Sequence, residues 1–233
     1  MLRSRCVRVS ARKRAEEGDS VFARHIESFK SRVHRHLLYQ AWLRQRENSA
    51  LGRWARDEPN RPPPHLFKQY VVRSYAKRFT TPVLVETGTF LGQMVEAMAP
   101  YFEHIYSIEL DDTLHRRAAS RLAHLTNVTL HQGDSGDLLG RILQEIKVPC
   151  LLWLDGHYSA GATARGIDDS PIRRELEHVF ELARLRDVLL IDDARCFDGR
   201  GGYPTLAEMT RLLRERARVE VTVAEDIIRV TPQ

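Results

Sequence analysis

The chain has 233 residues, of which 42% are hydrophobic and 29% are charged, and its formal net charge is +5. That length accommodates one sizeable α/β domain with an appendage, and no apolar stretch approaches the roughly 18 residues that span a bilayer. The basic N-terminus has no apolar segment of the kind a secretory signal needs, and three cysteines without paired spacing predict a reducing compartment, the cytoplasm.

The net charge hides an asymmetry between two parts of the chain. Residues 1–80 hold 19 Lys and Arg against 7 Asp and Glu, whereas residues 81–233 hold 17 against 24. We therefore divide the chain into a basic helical N-terminal extension, 1–80, and an acidic domain, 81–233. The extension has three interpretations: it binds nucleic acid or an anionic substrate, it packs on a partner subunit, or it is a solvated helical surface.

Two helices are predicted in the extension. Residues 20–47 carry one apolar stripe on a 3.6-residue period, so this helix is expected to pack on the domain or to pair with a second subunit as a homodimer. The prolines at 62–64 predict an extended break. A second helix is expected over 65–78, and its inner side is formed by Phe67, Tyr70, Val71, Ser74 and Tyr75.

From residue 83 onward, predicted strands alternate with predicted helices. The strands are expected at 83–86, 104–109, 128–131, 150–154 and 187–191, and the helices near 93–99, 112–124, 136–146, 171–185 and 204–217. The chain closes with two short alternating segments, 219–223 and 227–230, which predict an antiparallel pair. Repeated βα units of this kind indicate a doubly wound, Rossmann-like α/β sheet.

The first two predicted strands outline a ligand site. The first ends in Glu86 and leads into a turn that contains Gly88 and Gly92, and glycines let the backbone turn sharply and let a ligand approach closely. The second strand ends in Glu109, 21 positions after Gly88. An acid about 20 residues beyond such a turn commonly binds ribose hydroxyls, whereas the Gly-x-x-x-Gly spacing departs from the fingerprint of NAD sites.

The third predicted strand leads into Gly133, Asp134 and Ser135, a polar end that could contact an adenine edge. The chain carries a glycine turn, then a ribose acid, then an adenine-side aspartate. In this order of motifs it resembles class I S-adenosylmethionine-dependent methyltransferases, over roughly residues 80–233. The resemblance implies a seven-stranded sheet of order 3-2-1-4-5-7-6 whose last strand is antiparallel. It also implies that Glu86 either fixes the turn or meets the amino group of the methionine moiety.

Two further strand ends carry carboxylates. The fourth strand runs into Asp155, and the fifth runs into Asp192 and Asp193. If the two strands are neighbours, the three carboxylates converge, because adjacent strands lie only about 4.8 Å apart. Carboxylates at that spacing require protonation or a cation, and a hard divalent cation such as Mg²⁺ prefers oxygen ligands. The alternative is that they are ordinary strand-end acids, with Asp193 bound locally by Arg195.

These strand ends also resemble those of metal-dependent O-methyltransferases of the catechol and the macrocin and novobiocin sugar type. In the sugar enzymes, the second acid of an Asp-Gly-Asp run is the proposed general base, and this chain has His157 at that position. An imidazole has an unperturbed pKa of about 6.5 and suits proton abstraction near neutral pH. His157 is therefore the predicted catalytic base, with metal ligation or loop packing as its alternatives.

The favoured function is a metal-dependent O-methyltransferase that acts on a hydroxyl of a small molecule, with S-adenosylmethionine and a divalent cation as cofactors. The long loops 158–170 and 194–202, at the carboxyl end of the sheet, are expected to form a substrate lid. One alternative is an RNA methyltransferase that uses the basic extension. Another is a non-catalytic, nucleoside-binding module that oligomerises through helix 20–47.

Overall fold

The structure is a computed structural model that describes residues 45–56, 62–156, 170–182, 184, 186–216 and 218–233. The chain divides into two compact units, 1–52 and 53–233. The described part of the first unit, 45–52, is helical, and so are residues 53–56 of the second; we refer to the helical residues 45–56 as α1. Most of the predicted helix 20–47, all but one residue of the predicted lid loop 158–170, and His157 lie outside the described residues.

A seven-stranded sheet forms the centre of the second unit, and its order, β3-β2-β1-β4-β5-β7-β6, is the order that the family resemblance implied. Strands β1 to β5 are parallel, whereas β7 runs antiparallel to both β5 and β6. The strands are β1 Val83–Thr87, β2 His104–Glu109, β3 Val128–Gln132, β4 Cys150–Leu154, β5 Val188–Ile191, β6 Val219–Ala224 and β7 Ile227–Pro232. The predicted doubly wound α/β fold is thereby confirmed.

Helices cover both faces of this sheet. They are α2 His65–Phe79, α3 Gln93–Met98, α4 Asp112–Leu122, α5 Ser135–Glu145, α6 Ile172–Glu181 and α7 Leu206–Arg216, with short 3₁₀ turns at Ala99–Tyr101 and Ala194–Cys196. The predicted ends of α4, α6 and α7 extended one to four residues too far. Asp111 caps α4 by accepting a hydrogen bond from the Leu114 amide at 2.8 Å, as expected of an aspartate in this position.

The two faces follow from the alternation of side chains along each strand. In β1, Val83 and Val85 pack with helices α5, α6 and α7, whereas Leu84 packs with α2, α3 and α4. Every residue of β1, β4 and β5 is buried, because parallel strands in the middle of such a sheet have helices on both sides. The sheet thus forms a rigid platform whose carboxyl edge positions the candidate site.

Helix α2 belongs to the compact unit that contains the sheet, although the sequence placed it in the extension. It packs against α3, β4 and β5, and it buries Val71, Val72 and Ala76. The predicted inner side was partly wrong, since Tyr70 is 59% exposed. The buried face is centred instead on positions four apart, Val72 and Ala76, and Lys68 lies one helical turn before Val72 on the same face.

No helix in the described parts of the chain is long and apolar enough to cross a membrane. Cys150 and Cys196 are free thiols.

Candidate active site

The glycine turn after β1 folds back onto the end of β2. The Gly88 and Thr89 amides donate to the carbonyl of Ile108 at 2.9 and 3.1 Å. Gly88 has φ +85°, and a Cβ atom there would lie 2.4 Å from the backbone oxygen of Asp155, so only glycine fits between the ends of β1 and β4. Gly92, with φ +73°, begins α3 and faces the side chain of Leu122. Both glycines therefore occupy positions that other residues would strain.

Glu109 stands at the end of β2, beside this turn. One carboxylate oxygen accepts a hydrogen bond from the Phe90 amide at 2.7 Å, and the other accepts one from the Asp111 amide at 2.9 Å. Burial raises the pKa of Glu109, although these two amides oppose the shift. A carboxylate oxygen can accept two hydrogen bonds, so each oxygen retains capacity for one further donor. That capacity suits a pair of adjacent hydroxyl groups.

Glu86 anchors the glycine turn from within the core. Its carboxyl group accepts a hydrogen bond from the Ser107 hydroxyl, which also lies 2.6 Å from the hydroxyl of Thr89 in the turn. Burial raises the pKa of Glu86 to about 8, against the effect of the Ser107 hydrogen bond. This network matches the turn-fixing role that was expected for Glu86, while its contact with a cofactor stays a prediction.

Asp134 and Ser135, at the end of β3, are engaged by other residues. Asp134 caps α5 through the Gly136 amide at 2.8 Å, and the Arg174 guanidinium donates to both of its oxygens at 3.0 and 2.9 Å. The Ser135 hydroxyl donates to Glu175 at 2.6 Å. Burial raises the pKa of Glu175 to about 7, opposed by hydrogen bonds from Ser135 and Thr87. The adenine contact predicted for Asp134 and Ser135 therefore stays a prediction.

Strands β4 and β5 are neighbours, as the predicted convergence of the aspartates at their ends requires. Leu154 pairs with Ile191, and the Asp192 amide donates to the Leu154 carbonyl at 3.0 Å. Asp155 and Asp192 therefore leave adjacent strands side by side. Asp193 has a left-handed φ of +57°, which turns the chain immediately after Asp192.

A lysine that the sequence analysis did not identify lies among these aspartates. The Lys68 ammonium forms an ion pair and hydrogen bond with Asp192, and its nitrogen lies 3.9 Å from Asp193. Lys68 is 16% exposed at its side chain, and that of Asp192 is fully buried. Burial disfavours the charge on Lys68, but the Asp192 and Asp155 carboxylates outweigh it and raise the pKa of Lys68. Lys68 therefore remains a cation.

The other aspartate contacts decide whether a metal fits. The second oxygen of Asp192 accepts the Asp193 amide at 2.9 Å, and Asp193 accepts the Arg195 guanidinium at 2.7 Å, which is the local pair considered above. Within the described residues, no group of three or more His, Cys, Asp or Glu side chains is arranged to hold a metal ion. In this arrangement, Asp155, Asp192 and Asp193 do not fit a divalent cation, because Lys68 and Arg195 already bind two of them.

A second residue missed in the sequence is His65, which lies one turn before Lys68 in α2. Burial lowers the pKa of His65, and the Lys68 charge lowers it further, while Asp155 opposes the shift. Its buried Nε2 atom has no hydrogen-bond partner among the described residues. The spacing His65-x-x-Lys68 at the start of a helix was visible in the sequence, but nothing in the sequence indicated that this helix end meets β4 and β5.

A small cavity lies beside the aspartates, and its volume of about 10 Å³ within the described residues is room for one water molecule. It lies between the ends of β4 and β5 and the start of α6, and its lining includes Asp155, Gly156, Asp192, Phe197 and Tyr203. Of the two predicted lid loops, the loop 194–202 is described. It is anchored, since its Arg195 pairs with Asp226 as well as with Asp193. The role predicted for His157 stays a prediction.

Comparisons with known proteins place this geometry among methyltransferases by fold. No protein-family model matches the chain, and no curated protein matches it. Solved structures do match. The O-methyltransferase TomG from Streptomyces achromogenes, involved in tomaymycin synthesis and solved with S-adenosylmethionine, is 17% identical with a TM-score of 0.53, over 80% of this chain and 88% of TomG.

Two further structures give the same picture. An O-methyltransferase from Bacillus cereus, in complex with S-adenosylhomocysteine, is 16% identical with a TM-score of 0.54, over 79% of this chain and 89% of the other. The methyltransferase PaMTH1 from Podospora anserina, bound to S-adenosylhomocysteine, is 13% identical with a TM-score of 0.52, over 71% of this chain and 78% of PaMTH1. The chain therefore has the fold of class I S-adenosylmethionine-dependent methyltransferases, and the predicted resemblance is confirmed.

Proposed function

We propose that this protein is an S-adenosylmethionine-dependent O-methyltransferase that methylates a hydroxyl group of a small molecule. The observation that carries the proposal is Glu109, held by the Phe90 and Asp111 amides at the end of β2 beside the turn at Gly88. A carboxylate fixed in this way, next to a glycine turn of the same fold, suits a nucleoside ribose. The O-methyltransferases of similar fold support the oxygen acceptor.

The cofactor residues have separate tasks under this proposal. Glu109 accepts hydrogen bonds from both ribose hydroxyls with the two positions that its backbone donors leave open. Glu86 holds Thr89, and with it the glycine turn, through Ser107. When bound, S-adenosylmethionine supplies a methyl group on a positively charged sulfur. An oxygen nucleophile can attack the carbon of that methyl group, and the sulfur leaves as a neutral thioether.

The acceptor would lie at the carboxyl ends of β4 and β5, beside Asp155 and Asp192. This edge is next to the glycine turn, since a Cβ atom on Gly88 would contact the Asp155 backbone. The protein must orient a hydroxyl toward the methyl group and accept its proton, and positioning of this kind is a large part of catalysis. We propose His157 as the base that takes the proton, directly or through water, as its place two residues after Asp155 suggests.

Metal assistance was part of the sequence-based hypothesis, and Asp155, Asp192 and Asp193 are the residues that would supply it. With Asp192 bound to Lys68 and Asp193 bound to Arg195, we assign no step of the reaction to a metal.

Cofactor binding tests the proposal most directly. Isothermal titration calorimetry with S-adenosylhomocysteine should give one site per wild-type chain. Glu109→Gln should weaken binding by about 10- to 100-fold, because a hydrogen bond to a charged group contributes roughly 1.5–3 kcal/mol. Incubation with S-adenosylmethionine and a panel of catechol and sugar acceptors, followed by mass spectrometry, then identifies the acceptor.

Glu103→Gln is the matched control, because Glu103 is an exposed acid just before the same strand. It should bind the cofactor as the wild type does. A melting curve of Glu109→Gln is needed beside the titration, because Glu109 also fixes two backbone amides. A folded Glu109→Gln protein with wild-type affinity would contradict the ribose assignment.

A further inference from the structure

We propose that the Lys68 ammonium takes the place of the divalent cation in this fold, so that the protein handles its acceptor oxygen with a built-in positive charge and without a metal. As far as it concerns the acceptor, the inference rests on the proposed function. The part that concerns the metal does not, because it depends on Lys68 and the carboxylates alone.

The position of Lys68 is the first argument. Its nitrogen bonds to Asp192 and lies 3.9 Å from Asp193, at the ends of the strands where the sequence predicted a metal. The pair is not a flexible surface contact, since the Asp192 side chain is fully buried and that of Lys68 is 16% exposed. A cation at this position balances the repulsion between adjacent carboxylates, which is the task the sequence assigned to a metal.

The way Lys68 is held is the second argument. Val72, one turn later on the same helix face, is completely buried in the core that also contains Trp153 of β4 and Leu190 of β5. The core packing therefore fixes the helix turn that carries the ammonium. A metal would have to displace this charge from Asp192 and also compete with Arg195 for Asp193. Displacing either cation would leave a charge with poorer compensation.

The third argument concerns the acceptor. An ammonium group has three N–H donors, and Asp192 is the one hydrogen-bond acceptor that the described residues provide for it. Donors therefore remain for an acceptor oxygen at the carboxyl ends of β4 and β5, next to Asp192. A lysine binds one oxygen as a compact charge, whereas a metal with open sites favours two adjacent oxygens. Chelation by two vicinal oxygens is therefore not required, and an acceptor with one reactive hydroxyl suffices.

The experiment is a titration of Mn²⁺ into the full chain after EDTA treatment, followed by calorimetry and by melting curves. Mn²⁺ is a suitable probe because it accepts carboxylate oxygens. Wild type should show no saturable site, and its melting temperature should be the same in Mn²⁺ and in EDTA. Lys68→Met should bind one Mn²⁺ at least about tenfold more tightly than wild type, because Asp192 then loses the cation that a metal would have to displace. In EDTA it should also melt below wild type, and Mn²⁺ should raise its melting temperature.

Lys77→Met is the matched control, since Lys77 lies on the exposed face of the same helix, and it should behave as wild type. Saturable binding of one Mn²⁺ by wild type, as tight as that by Lys68→Met, would overturn the inference. So would a folded Lys68→Met protein that binds Mn²⁺ no better than wild type. If Lys68→Met does not fold, the double variant Lys68→Met with Asp192→Asn removes both charges. The wild-type titration then decides the question.

A turnover assay separates this inference from the proposed function. With an acceptor identified, methyl transfer by wild type should be unchanged in EDTA, and acceptors with one hydroxyl should react. If S-adenosylhomocysteine does not bind, the proposed function fails while the Mn²⁺ result still stands. If the cofactor binds and EDTA abolishes turnover, the inference fails while the proposed function survives.

Discussion

The candidate site has two halves, which hold their carboxylates in different ways. The cofactor half is the turn at Gly88 with Glu109, and the acceptor half is the cluster of Lys68 with Asp155, Asp192 and Asp193. On the cofactor half, Glu109 accepts hydrogen bonds from two backbone amides, and one of them is only two residues away. On the acceptor half, one oxygen of Asp192 accepts the Asp193 amide, but the other depends on the ammonium of Lys68, which is 124 positions away in sequence. Backbone donors remain whatever side chains are present, whereas a side-chain cation can be removed by one substitution. The acceptor half should therefore be much more sensitive to side-chain changes.

The largest effect on this comparison is expected from Lys68→Met. Removal of one partner of a buried ion pair typically costs about 3–5 kcal/mol, because the other charge is left uncompensated. Urea unfolding at neutral pH should show a loss near the lower end of that range, because Asp192, whose pKa burial and Asp155 raise to about 7, can take up a proton when Lys68 is absent. Lys77→Met on the exposed face should stay within about 0.5 kcal/mol of wild type. A Lys68→Met protein as stable as this control would show that the ion pair does not hold the acceptor half together.

The same ion pair determines the expected effect of removing Asp192. Without Lys68, removal of Asp192 would relieve repulsion between carboxylates and stabilise the protein slightly. With Asp192 bound to Lys68, Asp192→Ala instead leaves a buried ammonium with fewer partners. We therefore expect Asp192→Ala to be destabilising.

On the cofactor half, the sensitive positions are backbone positions. Gly88→Ala should cost about 3 kcal/mol, because its Cβ atom would clash with the Asp155 backbone in addition to the roughly 1–2 kcal/mol of a left-handed conformation. Gly92→Ala has the same conformational cost but meets the side chain of Leu122, which can move, so about 1–2 kcal/mol is expected. Equal losses in urea unfolding would show that the approach of β4 to Gly88 is not tight.

These differences explain what the sequence could predict. The positions of Gly88 and Glu109 follow from patterns within one βαβ unit, and the strand order was implied by the family resemblance; the structure has all of them where they were expected. Lys68 was missed because its partner lies in another strand, and because a lone lysine on a helix usually extends into solvent. The engagement of Asp134 by Arg174 was missed for the same reason, since Arg174 is 40 positions away and reaches Asp134 from α6.

A pH titration sharpens the comparison on the cofactor half. Burial raises the pKa of Glu86 from 4.5 to about 8, so the folded protein keeps this proton between those pH values while the unfolded chain releases it. The free energy of unfolding should therefore fall as pH rises from about 4.5 to 8, by roughly 1 kcal/mol per pH unit from this residue. In Glu86→Gln the fall should be correspondingly shallower, and in the exposed control Glu103→Gln it should be unchanged. An unaltered slope in Glu86→Gln would show that Glu86 is ionised in the folded protein.

The smallest effect concerns Ser135, which links the two halves. Its hydroxyl donates to Glu175, and a Cβ atom on Gly156, just after β4, would lie 3.3 Å from that hydroxyl. Ser135→Ala removes one hydrogen bond from a buried carboxyl group and should cost about 1 kcal/mol in urea unfolding. Because the hydroxyl is already engaged, the affinity for S-adenosylhomocysteine should change less than twofold. A tenfold loss of affinity without loss of stability would instead support the direct cofactor contact that the sequence suggested. Ser135 would then belong to the cofactor half, and its hydrogen bond to Glu175 would be of minor importance for stability.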